Sequence, residues 1–203
     1  MKNLITLLIV LLSISGYSQK HKPSDLVPDL SKETSTYIEQ LVIEKINKGR
    51  EKMGREPLIF DTLLAPAGDH HALYMRKLGK LTHWEEEDVE GMVNYRFHTS
   101  RLKLLDRSKI EDLSEAIGSS LLRLKDGWDP HSFDEISTHL VYCFNQSKGH
   151  WKLITDVKWD CVYIVYDLLH DDDENENRKS SGTYITVMLG QYTDEYKKEL
   201  GIN

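Results

Sequence analysis

The feature that most constrains this chain is an order of patterns: helical periodicity occupies its earlier part, and runs rich in Val, Ile and Tyr come late. From Thr36, the apolar residues Ile38, Leu41, Val42 and Ile46 recur at helical spacing, with a capping box of Thr36 and Glu39 in front and Gly54 behind. After a brief extended link at Pro57–Phe60, Asp61 is placed to cap a second helix. Its apolar face carries Leu64, Ala67, His71, Tyr74, Met75 and Leu78; Gly79 stops it, and Pro66 is tolerated because it lies in the early turns. A third helix spans about Phe133 to Gln146, with Ile136, Leu140, Val141 and Phe144 on one side. Cys161–Leu168 and Thr183–Leu189 read as strands, separated by a strongly polar loop, Asp171–Ser181. Between Leu81 and Leu113 the pattern is weak and predicts loop with short helices. Helices first and paired strands late predict an α+β fold.

The N-terminus has a different purpose. Lys2 precedes a mainly apolar stretch, Leu4–Leu12, and Gly16 and Ser18 then stand three and one residues before a cleavage point. That order is a secretory signal, too short for a spanning helix of about 20 residues and followed by no stop-transfer pattern. The reading is therefore residues 1–18 as signal peptide, 19–35 as a flexible leader carrying Pro23 and Pro28, and 36–203 as one domain. The expected location is outside the cytoplasm, with no transmembrane anchor. Residues 1–18 hold one base, Lys2, and no acid, so a net charge of −7 becomes −8 after cleavage. A negative surface argues against nucleic acid as a partner. The two cysteines, Cys143 and Cys161, either pair in an oxidising compartment or stay as free thiols; sequence leaves both open.

Of the nine histidines, two stand out together with one acid. His83 follows the second helix and its Gly79 stop, Glu115 lies in Ser114-Glu115-Ala116-Ile117, and His150 closes the third helix in Ser147-Lys148-Gly149-His150-Trp151. Helix ends and loops let side chains converge on a cleft. No short metal motif such as H-E-x-x-H is present.

Four blocks, taken in order, resemble those of the CAP superfamily, also called SCP or PR-1-like. They are Leu64-Ala65 through His71-Ala72-Leu73-Tyr74-Met75, then Leu81-Thr82-His83, then Glu115-Ala116-Ile117, then Phe144-Asn145-Gln146-Ser147-Lys148-Gly149-His150-Trp151-Lys152-Leu153. The resemblance covers roughly residues 37 to 190. It implies a three-layer α-β-α sandwich with a central antiparallel sheet, secretion of a bacterial-type member, and a cleft lined by two histidines and one or two acids. Carried over residue by residue, the first cleft histidine falls on His83, the acid on Glu115 and the second histidine on His150. The second acid of the eukaryotic members falls on Ser147. Ser114 and Ala116 replace the usual neighbours of Glu115, and Phe144 stands where Trp is usual.

Two neutral imidazoles and a carboxylate are a donor set for Zn²⁺ or another divalent cation, with water in an open fourth position. A hydrogen-bonded cluster that only holds loops in place is the competing reading of His83, Glu115 and His150. The further cleft candidates are Ser147, His71, Trp84 and Trp151. Ser147 lacks an elbow or oxyanion motif for a nucleophile. His71 shares a face with Ala67, Tyr74 and Met75 and reads as a core histidine, while His70 reads as solvent-facing. Trp84 and Trp151 serve equally as cleft wall or core. The acidic runs Glu85–Asp88 and Asp171–Glu174 lack calcium-loop spacing and read as solvated faces. The function expected is a secreted, non-enzymatic binding module for a divalent metal, an unidentified small ligand or an extracellular partner. The alternatives are a metal-assisted extracellular hydrolase of peptides or cell-envelope polymers, and a structural or interaction protein with an inert cleft.

Overall fold

The computed structural model describes residues 32–123, 133–169 and 180–202. The expected signal, most of the leader and the acidic run 171–174 lie outside the described residues.

The first helix, α1, is Lys32–Lys52. It starts four residues before the expected cap, so Thr36 lies inside it, and Glu39 instead accepts a hydrogen bond from the Tyr166 amide at 3.0 Å. Gly54, at φ 66°, takes the left-handed turn that ends it. A two-residue strand, β1 (Ile59–Phe60), leads to a 3₁₀ turn, Thr62–Leu64, and then to α2 (Ala65–Leu78). Asp61 does cap, but it caps the 3₁₀ turn, accepting from Leu63 N. A second 3₁₀ turn, His98–Leu104, precedes β2 (Ile110–Arg123). Then come α3 (Phe133–Gln146), α4 (Lys148–Ile154), β3 (Cys161–Leu169), β4 (Ser180–Tyr192) and α5 (Asp194–Leu200).

The sheet runs β1-β3-β4-β2. Both long pairings, β3 with β4 and β4 with β2, are antiparallel, as expected. The short β1 departs from that expectation by joining β3 in parallel. This follows from its connection, because α2 and β2 intervene before β3 rather than a hairpin turn.

Alternation along the strands sorts side chains to two faces. Val162, Ile164 and Tyr166 of β3, Ile185, Val187 and Leu189 of β4, and Ala116 of β2 pack with Ile38, Val42 and Ile46 of α1 and Ile136, Leu140 and Phe144 of α3. The opposite face carries Cys161, Met188, Leu113 and Ile117, which pack with the 3₁₀ residue Leu64 and with Ala67 and Met75 of α2. The result is three layers, with α1, α3 and α4 on one side and α2 on the other.

This layering decides the cysteine question. Cys143 is exposed on α3, Cys161 is buried toward α2, and both are free thiols.

Helix α4 is fastened to α1 by two adjacent residues. Arg50, almost wholly buried, donates from Nη1 to the Ile154 carbonyl at 2.7 Å and the Asp156 carbonyl at 2.9 Å. Those are carbonyls that the end of a helix leaves without partners. Beside it, a methyl group placed on Gly49 would lie 2.6 Å from the Trp151 ring. Gly49→Ala is therefore expected to destabilise the protein by about 1–3 kcal/mol through overpacking, outweighing the helix-propensity gain of about 1 kcal/mol. Urea unfolding measures this; a raised midpoint would show that the indole is free to move.

Candidate functional site

Glu115 is not in a loop. It sits in the middle of β2, facing α2, where it is 3 % exposed. A carboxylate buried there needs donors on both oxygens. His83 Nδ1 donates to Oε1 at 3.0 Å, and the Arg101 guanidinium donates from Nη2 to Oε2. His71 Nε2 lies 3.6 Å from Oε1, beyond hydrogen-bond range.

His83 comes from the loop after α2, and its side chain remains partly exposed. His150 approaches from the other side of the sheet, in the first turn of α4. Its expected place at the close of the third helix is corrected by the structure: that helix ends at Gln146, and Ser147 caps a new one, accepting from the His150 amide. The two imidazoles meet at β2, the last strand of the sheet, with ring centroids 6.2 Å apart. Phe144 contacts the His150 ring edge to face, at 5.7 Å between centroids. Beside the pair lies a cavity of about 230 Å³ lined by Leu81, Ile117, Leu140, Cys143, Phe144 and His150.

The remaining cleft candidates divide. The Ser147 hydroxyl is used as a helix cap. Trp151 packs against the core and Gly49. Trp84 is 49 % exposed, edge-on to Phe97 at 5.1 Å between centroids. His71 is fully buried, as expected of a core histidine, but it is also wired into the site: its Nδ1 is 2.9 Å from Glu85 Oε1.

Glu85 corrects the reading of the acidic run. Glu86, Glu87 and Asp88 are exposed, but Glu85 is only 1 % exposed and turns inward. It accepts from Arg101 Nη1 at 2.8 Å and from the Tyr95 amide at 2.8 Å, and it pairs with both His71 and His70. His70, expected to face solvent, is held 3.2 Å from Glu85 Oε2. Glu85 and Arg101 were invisible as site residues because each sits in a polar stretch with no apolar period.

Electrostatics follow from this packing. Burial pushes Glu115 upward, but the His83 hydrogen bond and the nearby His71 and Arg101 outweigh it and hold its carboxyl below the ordinary 4.5. Burial likewise opposes ionisation of Glu85, and the His71 and Tyr95 hydrogen bonds and Arg101 overcome it. His150 is shifted down by burial and by neighbouring His83, which favours the neutral imidazole. His98 is lowered mainly by burial, against the opposing pull of Glu115. Because both glutamates titrate lower in the folded chain, the unfolded chain binds their protons first. Their contribution to stability is present above about pH 4.5 and is lost as pH falls through the folded values. Acid unfolding followed by tryptophan fluorescence is expected to be steep below pH 4.5 and shallower in Glu115→Gln; equal steepness would remove Glu115 from the transition.

Among the described residues, no three His, Cys, Asp or Glu side chains are grouped to hold a metal ion. Of the expected donor set, Glu115 has one oxygen engaged by His83 and the other by Arg101. What reaches the cleft is a pair of imidazoles, one of them oriented by a carboxylate.

No family model and no curated protein sequence matches the chain. Solved structures do. The chain superposes on an extracellular protein containing a SCP domain from Bacillus anthracis with a TM-score of 0.54 at 15 % identity, covering 82 % of this chain and 44 % of that one. The fold is the SCP, or CAP, fold. An outer surface protein from Borrelia burgdorferi superposes with a TM-score of 0.53 at 14 % identity, covering 78 % of this chain and 96 % of that one. The SCP-fold region of this chain thus spans under half of the Bacillus protein but nearly all of the Borrelia one.

Proposed function

We propose that this chain is a secreted binding module of the CAP superfamily whose cleft holds a divalent cation, or the polar head of a small ligand, between His83 and His150. One observation carries the reading: two imidazoles from opposite faces of the sheet lie 6.2 Å apart, and one is oriented by a buried carboxylate. Ionised Glu115 can only accept, so the neutral form of His83 is the tautomer with its proton on Nδ1 and a lone pair on Nε2. A carboxylate–histidine pair of this kind fixes the ring and raises its basicity toward a metal. The two imidazoles would hold such a cation as nitrogen donors. The donor set fits a weakly held, solvent-rich ion, and Glu115 acts behind it rather than as a ligand. A bound cation would supply a positive anchor for a ligand oxygen.

Secretion is supported by the N-terminal signal pattern and by the extracellular and outer-surface descriptions of the two neighbours. Among the described residues no helix is long and apolar enough to cross a membrane. Binding is preferred to hydrolysis because the carboxylate beside the histidines has both oxygens taken by donors and is not free to act as a base.

The test is Zn²⁺ titration, by calorimetry, of the protein lacking residues 1–18. One equivalent bound, and lost in the His83→Ala/His150→Ala double variant, is the expected result. Equal binding by both proteins would sink the site. Turnover of peptide, ester or glycan substrates that disappears in the double variant would defeat the binding-only reading.

A further inference from the structure

We infer that Arg101, anchored by Glu85, is the positioning residue of the cleft: it fixes Glu115 so that Oε1 presents itself to His83 Nδ1. The inference rests on the reading of His83 as a binding residue.

The geometry is a fork. Arg101 is 0 % exposed and sends Nη1 to Glu85 and Nη2 to Glu115, so one guanidinium spans two buried acids. Its own position is over-determined. Glu85 is gripped by the Tyr95 amide, His71 and His70 as well as by Arg101, which ties the loop after α2 to α2 itself. Arg101 stands on the 3₁₀ turn just before β2, so the fork also fixes that turn against the strand. Glu115 Oε2 is thereby committed to Arg101, and only Oε1 remains for His83. Without the fork, Glu115 could rotate about its side chain and offer His83 either oxygen or none.

A guanidinium is suited to this because its donors diverge in one rigid plane, whereas an ammonium on a flexible stem cannot hold two carboxylates in fixed orientation. The network also explains why the acids stay buried. Two carboxylates sharing a dry site repel, and an internal cation lets both ionise. Arg101 thus occupies the place between the acids that a bound cation would otherwise take, and it leaves the imidazoles alone to face the cleft.

The test is Arg101→Lys in the protein lacking residues 1–18, read in two ways. Long-range ¹H–¹⁵N spectra of the metal-free protein report the His83 tautomer, and Zn²⁺ calorimetry reports affinity. In the wild type His83 is expected as the Nδ1–H form. In Arg101→Lys that signature is expected to give way to a tautomer mixture, with Zn²⁺ affinity falling about 10–100-fold, the usual effect of disturbing a residue behind a metal ligand. An unchanged His83 signature in a folded Arg101→Lys protein overturns the inference. If that variant does not fold, Glu85→Gln takes its place: a disturbed tautomer supports the fork and an undisturbed one overturns it. A wild-type protein that binds no Zn²⁺ defeats the proposed function, while the metal-free spectra still decide the role of Arg101.

Discussion

Replacing Glu115 by alanine is expected to destabilise the fold by about 3–5 kcal/mol, because it leaves a buried cation with half its compensation removed. Arg101 would retain Glu85, but Nη2 would lose its carboxylate acceptor while remaining buried. Glu115→Gln should cost less, since an amide oxygen still accepts from the guanidinium. Urea unfolding measures both. A loss below about 1 kcal/mol for Glu115→Ala, the magnitude of an exposed ion pair, would show that the pair is effectively solvated.

The double variant His83→Ala/His150→Ala is expected to do the opposite: to abolish cation binding, a loss of at least about 100-fold, while changing stability by no more than about 1 kcal/mol. His83 is partly exposed and gives Glu115 one of its hydrogen bonds, so its removal lets water replace the donor. His150 sits in the first turn of α4, where its amide is already held by Ser147. Floor and mouth of the cleft thus separate experimentally. The floor of Glu85, Arg101, His71 and Glu115 sets stability, and the mouth of His83 and His150 sets binding. A double variant that unfolds with a loss resembling that of Glu115→Ala would merge the two.

How much of this was legible depended on whether a residue obeyed a period. The long helices were readable because Ile38, Val42 and Ile46, and again Ile136, Leu140 and Phe144, recur at helical spacing and do line the core. The strands β3 and β4 were readable from Val, Ile and Tyr. Strand β2 was not, although it is one of the longest. Its inward positions include Glu115, its opposite face carries Ser114, Ala116 and Gly118, and a strand whose buried face contains a carboxylate breaks the apolar alternation that marks strands.

The site shows the same division. His83, Glu115 and His150 could be named because blocks of residues around them resemble a family, and the fold does bring the three together. Their roles could not be named, because whether a carboxylate points at a ligand or at an arginine depends on contacts across the fold. Arg101 lies 14 residues from Glu115 and 16 from Glu85. The three residues lie in different elements, so neither spacing carries a signal and the fork exists only once the 3₁₀ turn, the loop and β2 are assembled. Glu85 was hidden by its company, since three exposed acids follow it directly.

If His83 and His150 together form the binding face of the cleft, the most direct measurement is a Zn²⁺ titration of the protein lacking residues 1–18, followed by ¹⁵N NMR of its histidine rings. The prediction is that His83 Nε2 and one nitrogen of His150 shift together and reach their end points at one equivalent, while the rings of His70 and His71, held against Glu85, stay where they were. Movement of His70 or His71 with His83 and His150 unchanged would contradict it.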